Sequence, residues 1–572
     1  MTTPVQTKPA AGVVPPTWTT GSTAVFKTGT WRAALAQHVV APSPCHQACP
    51  VDGDIAEWLG LARQGDWRGA WEVLVRHNPF PAITGRVCHH PCEAACNRAV
   101  HDQPLAICRM ERYVGDRALA AGWPFPAPAH ALDGHVGVLG GGPAGLSAAF
   151  QLRRRGWRVS LYEASGQLGG LMRHGIPGYR LAREVLDAEI ERVLALGVEV
   201  HCGVRVESPE DFAALRARHD ALFVATGAAR PRALPQLDAA LPWLMQGAQY
   251  LAAANAGQPP ALGRRLVVVG GGSAAIDTAR SARRAGHEVT LLALESRAQL
   301  PAQHDEVEEA LEEGIALVDG AALQRAVADG AGGLRLECAQ VRFVAGAQRG
   351  QFTIESQPGA EFTLAADAVV VSIGQDAELA PFEGALESRA RLIAADRWGA
   401  TGSTGVWAGG DVASMERFVT AAFGMGKRAA LAIHAELLRR RGAQPGALPA
   451  AEGPPVGAEA IARWYYEPAA RAPERRLEVA ERQGEREVQL GLDEAEALAE
   501  SARCFSCGTC IDCDNCVVVC PDLAVQRLAP AQVQAAGAAA PHYEVLLDYC
   551  KGCGLCVREC PTGSMTMLEE RR

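Results

Sequence analysis

The sequence predicts an α/β protein in which two Rossmann-like dinucleotide-binding domains lie between a helical N-terminal domain and a small C-terminal α+β domain. Three observations predict this class. A glycine-rich turn follows a short apolar run twice, at residues 140–145 and 270–275, six cysteines fall between residues 45 and 108, and ten more fall between residues 504 and 560. With 572 residues, 48% of them hydrophobic, the chain is long enough to bury several separate cores.

The first glycine-rich turn has the context that nucleotide binding requires. A predicted buried strand, His135–Leu139, leads into Gly140, Gly142 and Gly145 and then into a helix-like run. The first glycine permits a tight turn, the second lets the backbone approach a pyrophosphate, and the third lets the helix pack on the strand. Glu163 ends the next predicted strand, residues 159–162, where an acid suits the two hydroxyl groups of a ribose. We therefore predict a dinucleotide site here.

The same pattern recurs after the apolar run 266–269. Gly270 and Gly272 follow it, and Ala275 takes the third position, where the motif accepts alanine. Two dinucleotide sites in one chain indicate a resident nucleotide and a visiting one, which is how a flavin takes hydride from a nicotinamide.

The C-terminal cysteines form two identical runs, each with the spacing CxxCxxCxxxCP. This spacing is typical of two [4Fe-4S] clusters that share one ferredoxin-like module, because the fourth cysteine of each run reaches the other cluster. A zinc site, with four ligands and usually two CxxC pairs, would leave the spacing unexplained. The predicted ligands are Cys510, Cys513, Cys516, Cys520, Cys550, Cys553, Cys556 and Cys560.

Three further motifs carry a resemblance to a known family. They are Ala225-Thr226-Gly227, Ser372-Ile373-Gly374-Gln375 and the stretch 405–411, which ends in Gly410-Asp411. At these residues the chain resembles flavoproteins with two dinucleotide-binding domains, in which the nicotinamide domain is inserted into the FAD domain. The resemblance implies FAD at the first turn and nicotinamide at the second, with Asp411 bonding the ribityl or phosphate region of the flavin. Many relatives carry a redox-active cysteine pair beside the flavin, but residues 166–172 contain no cysteine, so the electrons must leave another way.

The N-terminal cysteines carry a second resemblance. The stretches 78–81, 84–88 and 92–96, followed by residues 169–177 with Gly170, resemble the glutamate synthase small subunit and the N-terminal half of dihydropyrimidine dehydrogenase. The resemblance implies one [4Fe-4S] cluster held by Cys49, Cys88 and Cys92, with Cys108 at the place of a fourth ligand that need not be cysteine.

Two N-terminal cysteines, Cys45 and Cys96, have no role in that cluster. The family's second cluster uses an RCxxC motif ahead of Cys45, which is absent there but occurs far away, at residues 503–507. One hypothesis is that Cys504 and Cys507 join Cys45 and Cys96 in a further cluster. The alternative is that they are spare or locally used thiols. The two remaining cysteines, Cys202 and Cys338, fall in strand-like stretches and are expected to be inert core thiols.

The choice of nicotinamide depends on one acid. Relatives that use NADPH place two adjacent arginines after the second strand of the nicotinamide domain, where this chain reads Ala293-Leu294-Glu295. A carboxylate suits a ribose hydroxyl and repels a phosphate, which favours NAD(H) over NADP(H). Arg280 and Arg297 could still rescue phosphate binding, and Glu295 could be only a surface charge.

The predicted organisation has seven segments. They are a flexible arm (1–40), a helical iron–sulfur domain (41–125), the first part of the FAD domain (134–235), the nicotinamide domain (236–375), the second part of the FAD domain (376–440), a linker with a charged helix (441–500) and the ferredoxin module (501–572). The charged stretch 474–500 is expected to be a solvated helix face, with a docking surface as the alternative. Residues 542–548 are predicted to form a strand.

The predicted function is electron transfer between NAD(H) and a low-potential one-electron partner, through FAD and iron–sulfur clusters. The partner is expected to be ferredoxin or a ferredoxin-type subunit of a 2-oxoacid or aldehyde oxidoreductase in a hetero-oligomer. No catalytic side chain is assigned, because hydride transfer to a flavin requires no protein acid or base. The alternatives are a glutamate synthase small subunit that supplies NADPH electrons, and a binding role with vestigial cofactor sites. A net charge of −9, with no basic block, no long apolar run and no signal sequence, predicts a cytoplasmic protein that binds neither nucleic acid nor membrane.

Overall fold

The computed structural model describes residues 27–238, 240–329, 332–346, 351–446, 448–449, 453–529, 531–532 and 542–570. The chain divides into two compact units. The large unit comprises Pro44–Glu452 and Pro468–Cys504, and the small unit comprises Met1–Ser43, Gly453–Glu467 and Phe505–Arg572.

The N-terminal part of the large unit is helical, as the sequence predicts. Its helices are Pro44–Ala48, Ile55–Arg63, Trp67–Leu74, Pro81–Val87, Pro91–Ala94 and Ile107–Ala120. Proline opens three of them, where its missing N–H loses no hydrogen bond. Trp58, Trp71 and Phe80 are at least 98% buried in the core beneath them.

The first dinucleotide-binding domain contains a parallel five-stranded sheet. In spatial order its strands are Val406–Ala408, Ala221–Val224, His135–Leu139, Arg158–Glu163 and Glu199–Cys202. The helices of this domain are Pro143–Arg153, Leu171–His174, Arg183–Leu194, Pro209–Ala217 and Val419–Arg440. Helix Val419–Arg440 packs on helix Pro143–Arg153 so closely that a Cβ at Gly426 would lie 2.1 Å from the Ala144 carbonyl oxygen. Because the edge strand Val406–Ala408 follows the second domain in the chain, this sheet is built from two separate stretches of sequence.

The second dinucleotide-binding domain repeats the parallel sheet. Its strands are, in spatial order, Ala316–Val318, Glu288–Leu292, Arg265–Val269, Ala368–Val371 and Leu244–Gln246, and its helices are Gly247–Asn255, Ser273–Arg284 and His304–Glu312. An antiparallel sheet of Ala321–Ala328, Leu334–Ala345 and Phe352–Ala366 follows. Two short pairs, Arg230–Pro231 with Gln375–Asp376 and Ser388–Arg389 with Leu392–Ile393, complete the strands of the large unit.

The charged stretch differs from the prediction, because only Glu494–Ala502 is α-helical. We call residues 474–492 the charged strap. It folds back on itself, with the Leu477 amide donating to the Val488 carbonyl at 2.9 Å, and the Val488 amide donates to the Tyr179 carbonyl at 3.0 Å. The Glu487 carboxylate accepts hydrogen bonds from Arg86 and Arg112 at 2.6 and 2.8 Å. These tertiary partners replace the intrahelical bonds that a Glu- and Arg-rich sequence would otherwise form.

The small unit contains two short antiparallel sheets. Ala34–His38 pairs with Met565–Glu569, and Val525–Arg527 pairs with Tyr543–Val545, while the helices Asn515–Val518 and Leu555–Arg558 each carry a cysteine. The predicted flexible arm is therefore wrong for residues 34–38, which form a strand, and residues 1–26 lie outside the described part of the chain. The strand predicted at 542–548 is shorter, at Tyr543–Val545. Among the helices that the structure describes, none has the length and hydropathy that a membrane crossing requires.

Candidate nucleotide and iron–sulfur sites

The first glycine-rich turn has the geometry that its sequence predicts. Gly140 has φ 111°, and a Cβ there would lie 2.2 Å from the Ala225 carbonyl oxygen. A Cβ at Gly145 would lie 1.9 Å from the Gly140 carbonyl oxygen. No side chain fits at either position, so both glycines are required for the strand, turn and helix to meet.

The space in front of this turn suits a pyrophosphate and a ribose. A Cβ at Gly142 would meet nothing closer than the Gly170 Cα, at 3.8 Å, and Gly170 itself has φ 52°. Helix Pro143–Arg153 begins here and directs its free N–H groups and its positive dipole end at this space. The Glu163 Oε2 accepts a hydrogen bond from the Gly141 amide at 2.8 Å, and its Oε1 accepts one from the Ser165 amide at 2.7 Å. These residues fit a dinucleotide such as FAD.

Four further predicted residues come to the same edge of the sheet. Thr226 and Gly227 follow strand Ala221–Val224, Gly410 and Asp411 follow strand Val406–Ala408, and these strands are parallel neighbours. Burial raises the pKa of Asp411 to about 6, and Arg417 opposes that rise. A carboxyl group held at the carboxyl edge of a parallel sheet is suitably placed to accept hydrogen bonds from a bound dinucleotide.

The second turn repeats the arrangement with one substitution. Gly270 has φ 141°, and a Cβ there would lie 2.3 Å from the Ser372 carbonyl oxygen. A Cβ at Gly272 would meet only Pro301, at 4.0 Å, and the buried Ala275 occupies the third position without steric conflict. Gly374, with φ 100°, follows strand Ala368–Val371, which pairs with the strand that enters the turn.

Glu295 lies beside this second turn as the sequence predicts. A Cβ at Gly271 would lie 2.8 Å from the Glu295 Oε2, so the carboxylate is at the turn and not on a distant surface. Burial raises the pKa of Glu295. Of the two arginines weighed as phosphate ligands, Arg280 is buried in ion pairs with Glu309 and Glu313 at 2.8 and 2.6 Å, and Arg297 pairs with Glu308 at 2.7 Å.

Four cysteines of the N-terminal domain face one another. Burial raises the pKa of Cys49 to about 11 and that of Cys88 to about 12. The pKa values of Cys92 and Cys108 are also raised well above the ordinary value, first by burial and then by the neighbouring thiols, Cys49 and Cys88 for Cys92 and Cys88 for Cys108. Buried thiols with such pKa values become thiolates only when a metal centre supplies positive charge. This set of donors fits one [4Fe-4S] cluster.

A buried carboxylate, which the sequence reasoning missed, faces the same four thiols. Glu111 accepts a hydrogen bond from the Asn78 side chain at 2.8 Å, and burial raises its pKa to about 7. Its negative charge raises the pKa of Cys49, Cys88, Cys92 and Cys108. The spacing in the sequence could have identified Glu111, since a residue three positions after Cys108 lies on the same helix face.

The other two N-terminal cysteines and Cys504 also belong to the large unit. Cys45, Cys96 and Cys504 all pack on its main hydrophobic core. The Arg98 side chain, two residues after Cys96, donates to the Arg503 carbonyl at 2.8 Å, and Arg503 forms an ion pair with Asp102 at 2.9 Å. These contacts bring Cys504 to the region of Cys96. Cys507 belongs to the small unit, so the hypothesis of a four-cysteine set stays a prediction.

The two C-terminal cysteine runs interlock within the small unit. One cavity is lined by Cys520 from the first run together with Cys550, Cys553 and Cys556 from the second. Burial raises the pKa of Cys516 to about 12, and its neighbouring thiols are Cys510, Cys513, Cys560 and Cys556. The fourth cysteine of each run therefore lies with the first three of the other, and the donors fit two [4Fe-4S] clusters.

The two cysteines outside these groups differ from each other. Cys338 is buried, as expected, whereas Cys202 is exposed at the end of strand Glu199–Cys202. The expectation of a core thiol is wrong for Cys202, because this strand lies at the edge of its sheet.

Comparisons with known proteins match three regions of the chain. Residues 134–426 match the family model of pyridine nucleotide-disulphide oxidoreductases, residues 38–123 match the 4Fe-4S cluster domain II of dihydropyrimidine dehydrogenase, and residues 509–564 match the 4Fe-4S dicluster domain. The chain belongs to the pyridine nucleotide-disulphide oxidoreductase family. It is an electron-transfer oxidoreductase subunit that combines a flavin, a pyridine nucleotide and [4Fe-4S] clusters, as the sequence predicts.

Three curated relatives align with this chain over most of their own length. The chain is 34% identical to the NADP(+)-dependent formate dehydrogenase subunit beta of Moorella thermoacetica, over 83% of this chain and 72% of that one. It is 32% identical to the glutamate synthase [NADPH] small chain of Azospirillum brasilense (68% and 86%), and 31% identical to the NAD-dependent dihydropyrimidine dehydrogenase subunit PreT of Escherichia coli K12 (68% and 90%). Among solved structures, FprA of Mycobacterium tuberculosis in complex with NADPH aligns with a TM-score of 0.47 at 17% identity, over 55% of this chain and 87% of FprA.

Proposed function

We propose that this chain passes electrons between NAD(H) and a low-potential one-electron partner. The observation that carries the proposal is the interlocking of Cys520 with Cys550, Cys553 and Cys556 around one cavity. When bound, FAD exchanges hydride with the nicotinamide and the clusters accept single electrons. The protein's own contribution is to hold these groups: glycine-rich turns for the nucleotides, thiols for the iron and Asp411 for the flavin. Because residues 166–172 lack a cysteine pair, the clusters are the proposed outlet for electrons.

The proposed nicotinamide is NAD(H). Support comes from Glu295, whose carboxylate lies at the second turn where it can accept hydrogen bonds from a ribose 2′-hydroxyl and would repel a 2′-phosphate. Both arginines that could have bound the phosphate are engaged in ion pairs. The names of the relatives include both NAD and NADP enzymes, so the choice rests on this residue.

We propose Cys49, Cys88, Cys92 and Cys108 as the ligands of one cluster in the N-terminal domain. Glu111 stands beside them as a carboxylate that could replace Cys108. Cys108→Ser and Glu111→Gln distinguish the two: the true ligand's loss removes about four irons per flavin, whereas loss of the other leaves the iron content unchanged. Iron analysis and electron paramagnetic resonance (EPR) spectra give the readout.

We also propose a further cluster, with Cys45, Cys96 and Cys504 among its ligands. It is supported by the hydrogen bond from Arg98 to the Arg503 carbonyl, which brings Cys504 to the region of Cys96. The sequence supplies Cys507 as the candidate fourth ligand. About 16 irons per flavin are expected if this cluster exists and about 12 if it does not. Cys504→Ser should lower the first figure by about four, and no change would exclude Cys504 as a ligand.

The proposed partner is a ferredoxin or a ferredoxin-type subunit of a 2-oxoacid or aldehyde oxidoreductase in a hetero-oligomer. The Moorella thermoacetica relative adds a formate dehydrogenase as a candidate, because it is similar over 83% of this chain.

A glutamate synthase small subunit is the second candidate function, favoured by the similarity to the Azospirillum brasilense chain. The dicluster segment 509–564 lies beyond what that role needs and counts against it. A cytoplasmic location stays a prediction.

Steady-state reduction of a viologen dye by the purified chain, loaded with FAD and iron, tests the proposal. We expect turnover with NADH and at least a tenfold lower kcat/KM with NADPH, which corresponds to about 1.4 kcal/mol. A preference for NADPH would overturn the assignment of the nicotinamide. No turnover with either nucleotide would overturn electron transfer to a one-electron acceptor.

A further inference from the structure

The two cluster-binding loops of the small unit share a backbone conformation but not their charge. In the loop that begins at Cys550, the residues on either side of the middle cysteine are Gly552 and Gly554, with φ 74° and 76°. In the loop that begins at Cys510, the equivalent residues are Asp512 and Asp514, with φ 53° and 58°. A left-handed conformation is less favourable for a residue with a side chain than for glycine, so two carboxylates occupy positions that glycine would fill without strain.

The two carboxylates are held in place by the neighbouring two-stranded sheet. Asp512 Oδ1 accepts a hydrogen bond from His542 Nδ1 at 2.8 Å, and Asp514 Oδ1 accepts one from the buried Tyr543 hydroxyl at 2.7 Å. Asp512 Oδ1 also lies 3.9 Å from the Cys510 Sγ. Arg527 lies 3.5 and 3.6 Å from the two carboxylates, but its side chain is 53% exposed. Because water solvates this guanidinium, it offsets only part of their charge.

The second loop has a different electrostatic environment. Lys551 follows Cys550 directly, and its Nζ lies 3.2 Å from Asp522. Both residues line the cavity that contains Cys520, Cys550, Cys553 and Cys556. An internally compensated ion pair therefore adjoins these four thiols, whereas two carboxylates lie in the loop of Cys510.

We propose that the two clusters differ in reduction potential, and that Asp512 and Asp514 make the cluster held by Cys510, Cys513, Cys516 and Cys560 the harder one to reduce. Adding an electron increases the negative charge of a cluster, so fixed carboxylates oppose it and the Lys551–Asp522 pair does not. The inference rests on the ligand sets proposed above. The cluster of the Cys550 loop is then reduced first, and the cluster of the Cys510 loop, once reduced, is the stronger reductant.

An EPR-monitored redox titration of the full-length chain, loaded with its clusters, tests this order. Cys510→Ser and Cys553→Ser first identify the signal of each loop, because each should remove one signal. In Asp512→Asn/Asp514→Asn, the midpoint of the Cys510-loop signal should rise by at least 59 mV, a tenfold shift of a one-electron equilibrium, while the other midpoint stays constant. Asp512→Gly/Asp514→Gly should give the same rise with a backbone that suits the loop, so a folding defect cannot account for it.

A matched control uses an acid of the same unit that is farther along the chain from every proposed ligand. Glu569 is exposed at the end of strand Met565–Glu569, and Glu569→Gln should shift neither midpoint. Equal midpoints in the wild-type chain, or no shift in both double variants, would overturn the proposal while leaving the ligand assignment intact. If neither cysteine variant removes a signal, the ligand assignment fails and this proposal fails with it.

Discussion

The two dinucleotide sites of the large unit share a turn but hold their acids differently. At the first site, Glu163 is fixed by two backbone amides, those of Gly141 and Ser165. At the second, Glu295 lies beside Gly271 at a similar distance from the turn, and among the described residues its carboxylate accepts a backbone hydrogen bond from its own amide instead of from a pair of neighbouring amides. The first acid is organised before any ligand arrives, whereas the second keeps its hydrogen-bonding capacity for one.

This difference suits a resident and a visiting nucleotide. A preorganised site loses less conformational entropy when its ligand binds, and it therefore binds that ligand more tightly. The first domain is also completed by two elements that follow the second domain in the sequence. They are the edge strand Val406–Ala408 and the long helix Val419–Arg440. A nicotinamide substrate must leave after each transfer and a prosthetic group need not, so the less organised second site suits the substrate.

A large effect on flavin binding is expected when the third residues of the two turns are exchanged. Gly145→Ala places a methyl group 1.9 Å from the Gly140 carbonyl, so the strand and helix must separate. We expect a loss of about 3 kcal/mol, or roughly 100-fold weaker FAD binding, measured by flavin absorbance after gel filtration. Ala275→Gly at the second site is the control, and it should change NADH binding little. An equal loss of flavin in both variants would contradict the comparison.

The next effect concerns the ion pairs that support the second site. Arg180, from the first domain's segment, pairs with Asp277 at 2.7 Å on the helix that follows the second turn, and also with Glu306. Arg180→Ala leaves two buried carboxylates without their partner and should lower the free energy of unfolding by about 3–5 kcal/mol. Thermal unfolding followed by circular dichroism measures it. Arg264→Ala breaks an exposed pair with Glu288 in the same domain and should cost about 0.5 kcal/mol.

A smaller effect is expected when the acid at the second turn is removed. Glu295→Ala should lower kcat/KM for NADH about tenfold relative to NADPH, or about 1.4 kcal/mol, because a hydrogen-bond acceptor for the ribose is lost. Steady-state kinetics with both nucleotides gives the ratio. Glu288→Ala, on the preceding strand and 51% exposed, should leave the ratio unchanged. An unchanged ratio in Glu295→Ala would mean that this carboxylate is a surface charge.

An effect on the pH dependence of stability, rather than on nucleotide binding, tests how the first domain is supported. Burial raises the pKa of Glu189 to about 7 from its ordinary 4.5, and the side chain accepts a hydrogen bond from the Ala82 amide at 2.9 Å. Because the folded state binds this proton more tightly, the resulting stability is fully present below pH 4.5 and is lost as the pH rises through 7. Glu189→Gln should flatten this dependence by about 3 kcal/mol, seen in unfolding midpoints at several pH values. Glu191→Gln, exposed on the same helix, should leave it as it is.

Much of the nucleotide chemistry could be predicted because it is local. Strand His135–Leu139 has the predicted bounds, and Gly140 and Gly145 are needed for contacts within a few residues or with the adjacent strand. Glu111 could not be assigned in this way. Its role depends on burial opposite thiols from three other segments, and an acid on an amphipathic helix is more often solvated.

The charged strap and the first strand of the small unit show the limit of pattern reasoning. A run rich in Glu and Arg has high helix propensity, but Glu487 finds Arg86 and Arg112 from a distant part of the chain, and such tertiary partners override propensity. Residues 34–38 carry no decisive strand signal, and their partner strand, Met565–Glu569, lies near the other end of the sequence.

The sequence by itself determined the kinds of group that this protein binds, because glycine-rich turns and cysteine spacing express short-range geometric requirements. It also determined the family and the electron-transfer class. Only the tertiary structure decided which further acids act on those groups, namely that Glu111 faces the N-terminal thiols and that Asp512 and Asp514 take left-handed positions in one cluster loop and not in the other. The physical reason is that burial and charge proximity arise from packing between segments far apart in the chain, which no local pattern records.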